Sequence, residues 1–408
     1  MKFHNPWNPL ANGGAGGPGA DSAEWVNANV LAGIKGSVIP AGVPHDLQKE
    51  ICNVIEAGGL EQDPDDLTQL LQAIQNLTRV SQTPGIETGY FDMFVPSEYA
   101  TVQLALDYLS SRDIPNDVTV RINVAAGDYN LGPSSSIVAE HPKNDRIQII
   151  GAPITFPSAA TINQSTHSAA ETAIRGVWGT RFVVQGATKA GLYVKNHTLG
   201  LIKNIAFIGD NTAGQHGVLI GDWENGLGRA GARIEDCWSH RCGEDGFRAN
   251  YNCEVLSLRL GASYCGKQGT RVANGSVWTA KDEHIGVRNV QAGLLVVNAS
   301  FYEGTGVYGG MTMDNNGLNG VVSYGGGAEL VLQQGSKSRN NTGYGFVAGE
   351  GAYMTNNAGT SIVGGGNSLA DIAAIVMGRM HMNNAAGLGL TSSPALNTVG
   401  NNNSYIMG

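Results

Sequence analysis

Seven short motifs, each a glycine followed by apolar or β-branched residues, recur along this chain. They begin at Gly191, Gly217, Gly246, Gly269, Gly293, Gly320 and Gly345, with intervals of 26, 29, 23, 24, 27 and 25 residues. Self-similarity at a period in the twenties is the mark of a solenoid, in which each repeat is one turn that buries its apolar face only against its neighbours. A β-sandwich would instead show strict polar alternation with turns every eight to twelve residues. In a solenoid each strand pairs with its equivalent one turn away, about 4.8 Å distant. Like residues then stack in columns. Val, Ile and Leu form a continuous core, and stacked Asn amides can hydrogen-bond along the axis. Glycine is expected at sharp bends that need positive φ.

The composition fits that reading. The chain has 58 glycines in 408 residues and only 14% charged residues. Like charges stacked a few ångströms apart repel, so scarce charge follows from the architecture. Asn pairs at Asn315-Asn316, Asn340-Asn341, Asn356-Asn357 and Asn383-Asn384 mark a second phase of the repeat. Their intervals are 25, 16 and 27, which predicts a slip of register near residues 345–360. A collagen period is absent, and charge is too scarce for a long coiled coil. The net charge of −9, without a Lys/Arg run, speaks against a duplex nucleic-acid partner. No stretch is long and apolar enough for a membrane span. The first six residues lack the basic-then-apolar pattern of a standard signal peptide.

Upstream of the repeats the pattern is helical. Residues 1–20 read as an extended arm. A first helix is expected near 47–57, with Leu47, Ile51, Val54 and Ile55 on one face and a stop at Gly58-Gly59. A second opens at Asp63-Pro64, with Leu67, Leu70, Leu71, Ile74 and Leu77 as its apolar face. So small a pair needs a partner surface. A polar linker near 81–88 closes this part.

The string Glu24-Trp25-Val26-Asn27, then residues 50–60 (EICNVIEAGGL), then Gln69-Leu70-Leu71-Gln72-Ala73-Ile74 resembles the N-terminal segment of bacteriophage and prophage tail-fibre or tailspike proteins. About twenty residues separate the Trp-Asn element from the helix, more than that family usually has. The resemblance covers residues 21–77 and implies a virion attachment module over 1–88 that joins tail or baseplate proteins. Further on come a helix near 99–109, a strand with Val118, Val120, Ile122 and Val124 on one face, a Gly127-Asp128-Tyr129 turn, and the strand Arg146–Gly151. That order is similar to the capped start of pectate-lyase-like right-handed parallel β-helix proteins, a fold that phage tailspikes use. The expected fold is therefore a right-handed parallel β-helix, mainly β, behind a small helical attachment region. Residues 89–155 form its cap and first strands. Residues 156–408 form the solenoid, whose final segment contacts sister chains in a homotrimer, as the resemblance implies. The resemblance also implies location in the virion and action at the host surface.

Three motifs fail on their context. Gly226–Gly231 spells G-x-G-x-x-G, but a strand pattern follows where a dinucleotide fold needs a helix. Gly261–Lys267 approaches a phosphate-binding loop, but Gln268 stands where Ser or Thr must hold magnesium. Cys237, His240 and Cys242 do not converge on one strand face, so no metal site is expected. No cofactor is called for. Cys242 and Cys265 precede successive repeat glycines and should lie on adjacent turns, within disulfide reach, as a stack of buried reduced thiols.

The stretch 210–283 gathers aromatics and acids. Trp223, Trp238 and Tyr251 could stack on sugar rings, with Glu224 and Glu244 accepting hydrogen bonds from hydroxyls. Glycoside hydrolysis needs two carboxyl groups. Asp222 and Asp245 are 23 residues apart and Asp210 and Asp236 are 26 apart, so either pair could meet on neighbouring turns. Solvated loop carboxylates and structural tryptophans are the plain alternative. Two functions follow: a receptor-binding tail fibre or tailspike component that recognises host surface polysaccharide, or a depolymerase that hydrolyses or eliminates that polysaccharide on the same surface.

Overall fold

The computed structural model describes residues 42–57, 59–61, 63, 66, 68–74, 89–133, 135–221, 229–305, 310–332, 334–356, 362–382, 391–393 and 404–407. The chain divides into two units, residues 1–86 and 87–408. In the first, helix α1 spans Gly42–Ala57, starting five residues earlier than the apolar pattern indicates. Gly59 follows at φ +73°, and the amides of Gly59 and Leu60 return to Glu56 and Ile55, a glycine-terminated end as expected. Residues 69–74 are helical. Ahead of them Asp66 accepts from the Thr68 amide (2.8 Å), and Pro64 of the expected Asp63-Pro64 start lies outside the described residues. Leu71 and Ile74 are 59% and 46% exposed.

The second unit is a parallel β-solenoid of about 11 turns. Every strand pairing among the described residues is parallel, and most strands lie in two long sheets. One runs from Gly89–Val95 to Tyr405–Met407, the other from Ile137–Ala139 to Ser392–Ser393. The core is a set of in-register columns. In the first sheet Leu199, Ala232, Val255, Trp278, Tyr302, Leu330, Met354, Met380 and Ile406 succeed one another, all buried. In the second, Leu192, Val218, Phe247, Thr270, Leu294, Val321, Phe346 and Ile372 do the same. Helix α2 (Val102–Ser110), capped by Thr101, packs on strands Gly89–Val95, Val118–Val124 and Ile137–Ala139. These include the edge strands of both sheets, so the helix covers the first turn. Gly127-Asp128-Tyr129, expected as a turn, opens the strand Gly127–Leu131, which pairs with Thr180–Val184.

The seven repeat glycines do share one column, but their role differs from the expectation. None has positive φ. They stand where turns crowd together. A Cβ on Gly246 would lie 2.6 Å from the Gly269 carbonyl, and one on Gly293 2.9 Å from that of Gly320. Positive φ falls instead on other glycines, among them Gly275, Gly325 and Gly351, and on polar corners such as Asn211, Arg241, Tyr264, Arg288, Asn315 and Asn340. Asn tolerates this region because its short side chain bonds locally.

The amide ladder is real, though its members are Asn289, Asn316, Asn341 and Asn367. Each of the first three donates both its backbone N–H and its Nδ2 to the Oδ1 of the next, at 2.9–3.1 Å. Asn356 belongs to a strand and not to the ladder, and Asn357, Asn383 and Asn384 lie outside the described residues. Among the described residues of that stretch, 345–356, the register does not slip: Phe346 pairs with Val321 and Ile372, and Tyr353 with Glu329 and Arg379. Upstream of Asn289 the ladder continues into thiols, since the Cys265 amide donates to Asn289 Oδ1 (3.1 Å) and the Gly266 amide to the Cys242 carbonyl. All five cysteines are free, and Cys242 and Cys265 are fully buried.

Candidate functional site

The placement of the expected site residues separates them sharply. Asp222, Trp223 and Glu224 lie outside the described residues. Trp238 is no sugar platform, because it is fully buried. Helices α3 (Ala159–Ile162) and α4 (His167–Val177), inserted between two strands, cover the outer face of the first sheet there. They bring Trp178 and Phe156 onto the Trp238 ring at 5.6 and 6.0 Å. Thr166 caps α4 and Ala170 and Ile174 form its buried face.

Asp210 and Asp236 do not face one another. Asp210 and Asp236 are 26 residues apart, but the turn joining their strands is longer: Ala206 pairs with Trp238 and Ile208 with His240. Asp236 therefore faces Asn204, and Asp210 reaches the level of Cys242. Asp236 is held by Arg259 in two hydrogen bonds of 2.5 and 2.9 Å. Asp210 accepts from the Gly186 and Thr212 amides, which outweigh its burial and hold its carboxyl below the usual range. The Asp222–Asp245 pairing lies outside the described residues, since Asp222 does.

Glu244 and Asp245 do enter a site. A cleft of about 340 Å³ opens on the second sheet, lined by Lys189, His216, Glu244, Arg248, Lys267 and Arg271. Leu219, Arg248 and Arg271 in its lining are register partners on successive turns, in a column that runs from Tyr193 to Leu295. Both arginines occupy the same place in the repeat, two residues after Gly246 and Gly269. Asp245 is fully buried beneath them. Its Oδ1 accepts from the Gln268 amide (3.3 Å). Its Oδ2 makes no hydrogen bond, lying 3.7 Å from His216 Nδ1 and 3.8 Å from Arg248 Nη1. Burial raises this carboxyl to about 6 despite Arg248 and Arg271. The His216 imidazole is pushed down to about 3, first by burial and then by Arg248, with Arg271 and Lys267 adding to it. It is neutral near pH 7 and accepts from the Asp245 amide. Glu244 pairs with Lys267 at 2.5 Å. Tyr251, half-buried at positive φ, stands beside Arg248 on the same turn.

Lys189 also lines a larger groove, of about 830 Å³, between α2 and the first strands. Tyr129, Tyr193, Gln103, Ser136 and Lys195 line it too. The Tyr193 ring carries the Lys189 and Lys195 ammonium groups at 4.7 and 5.0 Å from its centroid. The two recesses therefore adjoin along the axis, offering donors, aromatic surface and positive charge on a chain that is acidic overall. Sequence reasoning missed Lys189, Arg248 and Arg271.

These features define a parallel β-helix protein with a cationic recess on one sheet. No protein family and no curated protein matches the chain. A solved structure similar to it is ORF18 of Geobacillus virus E2, at 12% identity and a TM-score of 0.34, with 78% of this chain and 66% of that protein covered. Among the described residues no helix is long and apolar enough to cross a membrane.

Proposed function

We propose that this chain is a bacteriophage tail-fibre or tailspike component, located in the virion, that binds host surface polysaccharide on the second sheet of its solenoid. The observation that carries the binding role is the continuity of the two recesses through Lys189. A chain of sugars needs an elongated surface with many donors and a few aromatic faces, and a rigid solenoid presents one without loop closure. Residues 1–88 are assigned to attachment through tail or baseplate proteins on their resemblance to that module. The exposed Leu71 and Ile74 suit a surface that docks on a partner. Association of three chains belongs to the same reading.

A second reading, cleavage of the bound polysaccharide, draws on Asp245, which keeps a proton closer to neutrality than an ordinary aspartate, beside Glu244 in the cleft. One experiment tests both. Purified protein is titrated with capsule and lipopolysaccharide fractions by calorimetry, and the mixtures are assayed for new reducing ends and ultraviolet-absorbing unsaturated ends. Binding that Lys189→Ala weakens supports recognition, and product that Glu244→Gln abolishes adds catalysis. If no surface polysaccharide binds, the reading fails.

A further inference from the structure

One column on the outer face of the first sheet alternates rings with charges. Successive turns place Phe301, Glu329, Tyr353, Arg379 and Tyr405 in register. Their inward neighbours Tyr302, Leu330, Met354, Met380 and Ile406 are buried, so these five side chains point away from the core. Glu329 and Arg379 are exposed, and the three rings are half-buried. Upstream the same column holds Glu254 and Val277, so the rings begin at Phe301. Rings on every second turn recur at about 9.6 Å, two strand spacings. The plain role for such side chains is pairing across strands. That role is unfilled here. Among the described residues none of the five side chains makes a hydrogen bond, an ion pair or a ring contact. Arg379 lies between two tyrosines and stacks on neither.

We propose that this row is a binding platform for an extended β-1,4-linked glycan, on a surface separate from the recess of the second sheet and independent of it. A pyranose stacks its C–H face on an aromatic ring, and Tyr adds a polar tip. In a β-1,4-linked chain each sugar is turned over relative to the one before. The same face therefore recurs on every second sugar, a length close to two strand spacings. Rings on alternate turns then meet equivalent sugars. The intervening sugars lie over Glu329, which accepts from hydroxyls, and Arg379, which donates to them. Glycans with α-1,4 linkages curve and leave so straight a row. The sheet holds its rings in line without ordering a loop, which lowers the cost of binding.

Calorimetry on the full chain tests the platform with cello- and chito-oligosaccharides of increasing length, and with malto-oligosaccharides as the curved counterpart. Affinity for at least one β-1,4 series should rise with length until the oligomer spans all three rings, and malto-oligosaccharides should bind at least about ten-fold more weakly. Tyr353→Ala removes the middle ring and should weaken binding about ten-fold, whereas Tyr353→Phe keeps the ring and should stay within about three-fold of wild type. A double variant, Glu329→Tyr with Tyr353→Glu, keeps the composition but puts two rings on adjacent turns. It should lose as much affinity as Tyr353→Ala. Thermal midpoints identify any variant that has lost its fold, and Phe301→Ala then replaces it. The platform is overturned if no β-1,4 oligomer binds, if malto-oligosaccharides bind equally well, or if the folded variants bind as wild type does. If host polysaccharide binds through Lys189 while the β-1,4 oligomers do not bind, the recess reading stands and the platform falls. If the oligomers bind through Tyr353 but no host polysaccharide binds, the platform stands and the recess reading falls.

Discussion

The rings of Trp178 and Trp238 meet at 5.6 Å between centroids and 49° between planes, and this contact fastens the helical insertion to the outer face of the first sheet. Trp178 Nε1 also donates to the Asp236 carbonyl at 2.9 Å. Both indoles are fully buried, so truncation opens a cavity that rigid strands cannot fill. Trp178→Ala should cost about 3–5 kcal/mol in denaturant unfolding and should raise amide exchange across His167–Val177. A variant with wild-type stability and protection would refute the docking role.

Gly246→Ala should destabilise by about 1–3 kcal/mol, because the new methyl meets the Gly269 carbonyl and the Ala262 side chain on neighbouring turns. Gly326→Ala is the contrast: nothing lies within 4 Å of its Cβ position. It should stay within about 0.5 kcal/mol of wild type. Comparable losses in the two would mean that crowding between turns is not what the column requires.

Acid should weaken the solenoid well before ordinary carboxylates titrate. Burial pushes His216, His240 and His284 down to about 3, below the ordinary value near 6.5. The unfolded chain binds more protons at these sites between those limits, so their stability contribution is present above about pH 6.5 and is lost as pH falls towards 3. Asp245 runs the other way. Its raised carboxyl stabilises below about pH 4 and loses that contribution as pH rises through about 6. Three histidines outweigh one aspartate, so the denaturation midpoint should fall from pH 7 to pH 5. Asp245→Asn should steepen that fall, and a midpoint that rises towards pH 5 would contradict the assignment.

Thiol labelling of the native protein should modify Cys52 and spare the other four cysteines. Cys237, Cys242, Cys253 and Cys265 are at most 1% exposed. Burial raises the Cys237 thiol, the Cys253 thiol (to about 11) and the Cys265 thiol, the last with Cys242 beside it. Thiolates are the reactive form, so these positions are slow as well as hidden. Rapid titration of more than one thiol before denaturant is added would show that the turns open.

The solenoid was legible because its repeat is written in glycines, and all seven fell in one structural column. Their physical role was not, since a sequence does not show whether glycine answers a torsion or a close neighbour. Gly246 answers the neighbour; the torsions went to other glycines such as Gly275 and Gly351 and to residues such as Asn315 and Asn340. The insertion falls inside the stretch 156–408 expected as solenoid, although Thr166, Ala170 and Ile174 carry a cap and a helical spacing. Of the candidate site, Glu244 and Asp245 were found by their chemistry. Arg248 and Arg271 were in plain view at equal places in two repeats, but only the cross-turn register makes them neighbours. Pairing acids by a fixed interval failed because turn length varies: the pairing that carries Ala206 to Trp238 spans more chain than the one that carries Phe247 to Thr270.

The Asn289–Asn367 ladder gives every participating turn the same plug and socket: two donors on one side, one oxygen on the other. It ends on Asp371, whose carboxylate accepts from Asn367 Nδ2 at 2.8 Å. Burial pushes that carboxyl up, but the bonds from Asn367 and Thr391 prevail and hold it low, so the terminus is an anion that closes the series. Any unit between Asn289 and that terminus is thus interchangeable with its neighbours. The molecule can change its reach in whole-turn quanta, by duplication or excision of one unit, without re-engineering either end.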